Sequence, residues 1–231
     1  MMTVTAEQLK NMARVLGADL CGIAPLYRFD EAPEGFRPQD VFPETKSVIV
    51  LAKRFPEGAC ASVSPVPYTA ATETILREVL RIACELALKL QDESVTAVPI
   101  PSEPYEYWDA DEREGKGILS LRHAGHLAGL GVFGKNRLLT NDLYGNRITL
   151  SALLVDAVLA GDPVATYHFC KGMCSLCVDN CPGKALGGAK VEQKLCRRHS
   201  QGTTARGDSL YICRLCRTMC PGGRGFLRSG A

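Results

Sequence analysis

Two stretches decide how this chain is read: residues 168–186, HFCKGMCSLCVDNCPGKAL, and residues 211–223, YICRLCRTMCPGG. The first holds Cys170, Cys174, Cys177 and Cys181, spaced x3, x2 and x3, with Pro182 directly behind. The second holds Cys213, Cys216 and Cys220, spaced x2 and x3, again followed by a proline, Pro221. Cys196 stands alone between them. Eight of the eleven cysteines of this 231-residue chain therefore lie in residues 170–231; Cys21, Cys60 and Cys84 are scattered through the rest. Charge divides at the same place. Residues 1–169 carry 16 Lys and Arg against 22 Asp and Glu, and residues 170–231 carry 11 against 3, so the whole-chain net of +2 joins two unlike parts.

A C-x2-C-x2-C-x3-C-P run binds iron–sulfur clusters, its fourth cysteine crossing to the second cluster of a pair. Both runs here are altered versions of it. One extra residue separates Cys170 from Cys174, and Leu210 stands where the second run would open, which makes Cys196 the replacement. Two [4Fe–4S] sites then use all eight thiolates: Cys170, Cys174, Cys177 and Cys220 in one, Cys181, Cys196, Cys213 and Cys216 in the other. Zinc held by two C-x2-C pairs leaves the x3-Cys-Pro tails without a role. Disulfides need an oxidising compartment, and the opening MMTVTAEQLK shows no secretory signal, so a cytoplasmic location is expected. A four-thiolate cluster carries roughly −2 when oxidised, so two offset about half of the local positive charge. Arg197, Arg198, Arg214 and Arg217 are left to tune the clusters or receive an acidic partner. Cys21 and Cys84 fall in apolar elements and read as core thiols; Cys60 falls in a loop.

The chain is read as two domains, residues 1–165 and 166–231. The first alternates helix and strand. Thr5 and Gln8 predict a capping box, Leu9, Met12, Ala13 and Leu16 an apolar helix face, and Gly17 its end. Strands are predicted over 18–24, 47–52, 94–100 and 148–155, the last apolar on both faces as in a sheet centre. A long helix is predicted over 68–91 and a shorter one over 118–130. Residues 56–67 read as loop. Residues 101–117, acidic and aromatic, lack either period and read as a surface loop or lid. The longest apolar run, 148–160, is 13 residues with Asp156 inside it, too short to span a membrane.

Residues 128–136, AGLGVFGKN, end a helix in a glycine-rich turn. Glycine admits positive φ and close backbone approach, and Lys135 and Asn136 suit a phosphate or an amide. The spacing is not that of a dinucleotide fingerprint after a strand.

The stretch AGLGVFGKNRLLTNDLYGN, then an apolar strand, then the cysteine runs with their lone intervening cysteine, resembles epoxyqueuosine reductases and the corrinoid reductive dehalogenases. GADLCGIAP and KSVIVLA near the amino terminus fit as well, so the resemblance covers about residues 5–222. It implies an α+β fold: a nitroreductase-like, cobalamin-binding α/β core with a carboxy-terminal ferredoxin-like module of two [4Fe–4S] clusters. It also implies that electrons pass from the clusters to cobalt, which reduces the substrate. Gly129, Gly131, Gly134, Lys135 and Asn136 become the cofactor-binding candidates.

Two departures qualify the resemblance. Gly115 falls where epoxyqueuosine reductases carry a proton-donating Asp, leaving Tyr105, Asp111, Glu114 and His123 as replacement candidates. The helical tRNA-binding repeats of many such enzymes do not follow Cys220, so tRNA is not expected as a partner. The expected partners are a small-molecule substrate and an electron-donor protein of the ferredoxin or flavodoxin kind, with a homodimer allowed. A cobalamin-dependent reductase is the first reading. An electron carrier docking a partner, or an FMN-dependent reductase on the same core, are the alternatives.

Overall fold

The computed structural model describes residues 4–170 and 172–227. Helix α1, Ala6–Val15, opens with the predicted capping box: the Gln8 N–H donates to the Thr5 hydroxyl at 3.3 Å, and the Gln8 side-chain oxygen accepts from the Thr5 N–H at 2.9 Å. Gly17, at φ +105°, makes the left-handed turn beyond it. Strand β1, Leu20–Pro25, a 3-10 turn, Leu26–Phe29, and the short α2, Pro38–Val41, lead to β2, Ser47–Arg54. Then come α3, Glu57–Ala61, the 28-residue α4, Pro65–Asp92, and β3, Ala97–Ile100.

Next are the paired strands β4, Tyr107–Asp109, and β5, Glu114–Lys116; helix α5, Leu121–Leu127; the paired strands β6, Val132–Phe133, and β7, Leu139–Thr140; and β8, Ile148–Val155. The cysteine segment adds α6, Leu176–Asp179, α7, Gln193–Ser200, a hairpin of β9, Gln201–Thr203, with β10, Ser209–Tyr211, and α8, Leu215–Thr218.

Strands β1, β2, β8 and β3, in that order, form one sheet in which every pairing is antiparallel. The central strands, β2 and β8, are buried on both sides, which is why they read as unbroken apolar runs. Successive side chains alternate between faces. Val48, Val50, Leu150, Ala152 and Leu154 meet Ala124 and Ala128 of the α5 region. Ile49, Leu51, Leu153 and Val155 meet Leu9 and Ala13 of α1 and Val79, Ile82, Leu86 and Leu90 of α4. At Gly22 a side chain would run into the Ala128 carbonyl and the Leu130 side chain, so the end of α5 rests directly on β1. A proline lies in each edge strand, Pro25 in β1 and Pro99 in β3.

Several expectations change. Residues 101–117 contain the β4–β5 hairpin, its strands three residues each, too short to show a period. The loop expected at 56–67 contains α3, which carries Cys60 into a buried site. Cys84 is exposed, on the side of α4 away from the sheet, and not a core thiol. The helix expected over 118–130 is cut to seven residues, with Gly129 at φ +76° beyond its end. Among the described residues no helix is long and apolar enough to cross a membrane. The start of the chain, Met1–Thr3, lies outside the described residues.

Replacing Leu154, fully buried in β8, by alanine is expected to cost about 2–5 kcal/mol in denaturant unfolding. Val158→Ala, at an exposed site, should stay within about 0.5 kcal/mol.

Candidate metal centre and adjoining cleft

The two cysteine runs fold alike. In each, a four-residue helix begins at the leucine before the second cysteine of a C-x2-C pair: α6 at Leu176, α8 at Leu215. The preceding residues, Ser175 (φ −129°, ψ 10°) and Arg214 (φ −139°, ψ 16°), share one backbone conformation. The helices end before Cys181-Pro182 and Cys220-Pro221, and the two helices pack together.

Electrostatic neighbourhoods sort the thiols. Burial raises the pKa of Cys177, and the nearby Cys170 and Cys174 push it further. Burial also raises Cys220, again with Cys170, Cys177 and Cys174 as thiol neighbours. Cys196 is raised by burial and then by Cys181 and Cys213. Cys216 is pushed up to about 11 by burial, with Arg217 opposing and Cys196, Cys213 and Cys177 adding to the rise. Cys170, Cys174, Cys177 and Cys220 are thus neighbours, as are Cys181, Cys196, Cys213 and Cys216, with Cys177 next to Cys216 where the two groups meet. Backbone N–H groups already point at sulfur: Lys135 to Cys170 and Ala185 to Cys181, both at 3.3 Å.

Eight thiols in two neighbouring groups fit a metal centre by donor chemistry, since soft cysteine sulfur is the ligand that holds iron–sulfur clusters. Among the described residues, no group of three or more His, Cys, Asp or Glu side chains draws together closely enough to hold one metal ion. A zinc tetrathiolate needs sulfurs about 2.3 Å from a single point, and neither quartet converges in that way.

The AGLG segment receives the cysteines. The Lys135 ammonium donates to the Cys174 carbonyl at 2.8 Å, and the Asn136 amide to the Cys216 carbonyl at 2.9 Å. Both were expected to meet a phosphate or an organic cofactor; their observed partners are the backbone of the cysteine runs. The glycines are also occupied locally. A side chain at Gly129 would strike the Pro163 carbonyl, one at Gly131 the Thr140 carbonyl, and one at Gly134 would come 2.7 Å from Asn136 Oδ1. Asn141 organises the next turn, donating to the Leu130 carbonyl at 2.7 Å and accepting from the N–H groups of Leu143 and Tyr144.

A cleft of about 710 Å³ opens beside the first quartet. Cys170, Phe133, Lys135, Tyr167, His168 and Gly187 are among its lining residues. His168, two residues before Cys170, is on this wall. A smaller cleft of about 440 Å³ opens at the second quartet, lined by Cys213, Cys60, Ile212 and Leu215 among others.

The proton-donor candidates part company. His123 pairs with the Ser120 hydroxyl at 2.7 Å and packs on Phe133, which His126 also touches, so it stands behind the cleft wall. Its pKa is lowered by burial, then by Arg122 and His126. Tyr105, Asp111 and Glu114 belong to the 101–117 segment, which supplies no residue to the cleft. That segment instead clasps α7. Tyr105 stacks on Trp108, and the Arg197 guanidinium covers both rings at 5.1 and 4.8 Å. Gly115 and Gln193 exchange two hydrogen bonds of 3.0 Å. A side chain at Gly115 would meet the Tyr105 ring at 2.7 Å.

Two further arginines, expected to tune the clusters or to receive an acidic partner, are pinned as well: Arg214 to the carbonyls of Cys60 and Ser62, Arg217 to that of Asn146 at 2.6 Å. Gln193 escaped the sequence reading because a lone amide outside a motif carries no signal, and Asn146, which ends the AGLGVFGKNRLLTNDLYGN stretch, because nothing in its spacing marks it from the other residues there. The aromatic run Tyr167-His168-Phe169 before Cys170 was a signal of the cleft that could have been used.

No protein-family model matches the chain. The chain is 34% identical over 111 residues to an epoxyqueuosine reductase of Lactococcus garvieae (strain Lg2), covering 43% of this chain and 30% of that protein. It is 23% identical to the epoxyqueuosine reductase of Bacillus subtilis (strain 168), covering 95% of this chain and 64% of that one. It therefore spans less than two thirds of these relatives. Among solved structures it resembles an epoxyqueuosine reductase with a tRNA-Tyr stem loop, with a TM-score of 0.66 at 19% identity, over 95% of this chain and 65% of that one. It resembles the catabolic reductive dehalogenase NpRdhA with a TM-score of 0.71 at 18% identity, over 97% and 33%.

The exposed Cys84 is expected to react first with iodoacetamide at pH 8, followed by mass spectrometry. Cys21 should resist, because burial pushes its thiol from an ordinary 9.0 up to about 12. A raised thiol pKa stabilises the fold fully below the unfolded value and loses that contribution as pH climbs toward the folded one. Unfolding stability should therefore fall between pH 9 and 12, and Cys21→Ala should flatten that decline.

These comparisons carry the mixed α/β expectation: the chain is a sequence relative of the epoxyqueuosine reductases, and its fold is like theirs and like that of the reductive dehalogenases.

Proposed function

We propose that the chain is an iron–sulfur oxidoreductase. Two [4Fe–4S] clusters occupy the two cysteine quartets, and the 710 Å³ cleft seats an organic redox group, a corrinoid in first place, that reduces a small-molecule substrate. The observation that carries this reading is adjacency: the lining of the cleft includes Cys170, a member of the first quartet. Residues 166–231 act as the ferredoxin-like cluster domain and residues 1–165 as the cofactor and substrate domain. When bound, the clusters supply single electrons and a corrinoid a strongly reducing metal.

The protein's own residues hold and orient. Lys135 and Ala185 N–H groups steady two cysteine sulfurs, and a thiolate in low dielectric gains from each such donor. Phe133 and Tyr167 offer the cleft aromatic surface, and the Tyr167 hydroxyl is tied to the Thr140 carbonyl at 3.1 Å. Proton delivery falls to the His168 imidazole, which lines the cleft, rather than to Tyr105, Asp111 or Glu114 in the clasp.

The clasp also favours a second reading. If no organic group is held, the chain is an electron carrier, and the first domain docks its partner. FMN in the same cleft is a third. A solved neighbour holds a tRNA stem loop, which runs against the expectation that tRNA is not a partner and puts tRNA among the ligands to assay. An electron-donor protein and a cytoplasmic setting complete the proposal.

Anaerobic purification with iron and sulfide analysis is expected to give about eight irons per chain. Incubation with hydroxocobalamin, followed by gel filtration, should leave cobalt with the protein and a Co(II) EPR signal. Iron without cobalt or flavin would transfer the assignment to the electron carrier. Cys216→Ala is expected to lose about half the iron; unchanged iron content would refute the quartet assignment.

A further inference from the structure

Asn146 is 1% exposed, and neither its amide nitrogen nor its amide oxygen has a hydrogen-bond partner among the described residues. Beside it, Arg147 is 7% exposed, and its Nε and one terminal nitrogen likewise lack partners; its nearest carboxylate, on Glu57, stands 3.9 Å away. Buried amides and guanidinium groups are rarely left in this state, because each forfeits its bonds to water.

The surroundings show where Asn146 belongs. A side chain on the preceding Gly145 would strike the carbonyls of Gly222 and Gly223. One on Gly223 would come 3.0 Å from the Cys220 carbonyl and 3.5 Å from Asn146 Oδ1. Arg217, next to Cys216, holds the Asn146 carbonyl. The buried amide therefore lies against the turn that follows Cys220.

We infer that Asn146 is a positioning residue whose side-chain amide donates a hydrogen bond to a sulfur of the cluster held at Cys220, and so raises that cluster's reduction potential. The inference rests on the cluster reading above. Reduction adds one electron, from the electron-donor protein, to a centre that is already negative. An N–H directed at sulfur stabilises the more negative state, and Arg147 and Arg217 add positive charge on the same side. A sulfur accepts only from the nitrogen end, which a half-turn of the amide brings to either side.

EPR-monitored redox titration of the full, anaerobically loaded chain tests this. Iron is counted first: a wild type without about eight irons refutes the cluster reading itself and this inference with it. With clusters loaded, Asn146→Leu should make one cluster about tenfold harder to reduce, about 59 mV for one electron, and leave the other unmoved. Asn146→Asp, matched in shape but without the donor, should shift the same cluster further in the same direction. Asn146→Ser, which keeps a hydroxyl donor, should recover part of the shift. An unmoved midpoint in loaded Asn146→Leu, or an upward shift in Asn146→Asp, overturns the inference. If Asn146→Leu does not load, the Asp and Ser variants decide: equal midpoints overturn it. A purely structural role would change melting temperature without ordering the midpoints in this way.

Discussion

The cysteine segment has almost no core of its own. Among the described residues from 170 onward, Ala185 is the one buried apolar side chain. A segment that buries so little apolar surface does not offset the entropy of ordering its backbone. It is held instead by groups reaching across from the sheet-bearing part. The tightest is a backbone meeting of Gly145, at φ +60°, with Gly222 and Gly223. Lys135 and Asn136 grip the carbonyls of Cys174 and Cys216, Arg214 and Arg217 reach back the other way, and the 101–117 hairpin clasps α7. Metal binding, where it occurs, adds its free energy to folding, so these clamps and the bound centres share one task.

That dependence clarifies the resemblance segment. Its glycines and amides looked like parts of a ligand site. In the structure they mostly shape two turns that fit the cysteine runs. A sequence can mark a position where backbone must come close, since only glycine permits it. It does not reveal whether the approaching group is a cofactor or another stretch of the same chain.

The elements with strong local signals were legible. The capping box of α1, the apolar faces of α4 and the two-sided strand β8 follow from spacing alone. The β4–β5 hairpin was not, because three-residue strands show no period and its contacts run to Arg197 and Gln193, some 80 residues along the chain. Cys84 was misplaced because an apolar helix tolerates a thiol on its outer side as readily as on its inner one. The cysteine runs were legible as two related local folds, because their shared spacing brings a short helix to the same place in each. The clefts were not, since a cleft is a property of surfaces that meet only after folding.

The prolines of the edge strands carry a consequence for self-association. A sheet edge recruits another chain through a continuous row of free N–H and C=O groups. Pro25 ends β1 at one edge, and Pro99 interrupts the four-residue β3 at the other; neither has an N–H to offer. Each proline breaks the row of edge N–H groups at its position, which disfavours the joining of two copies of this sheet edge to edge.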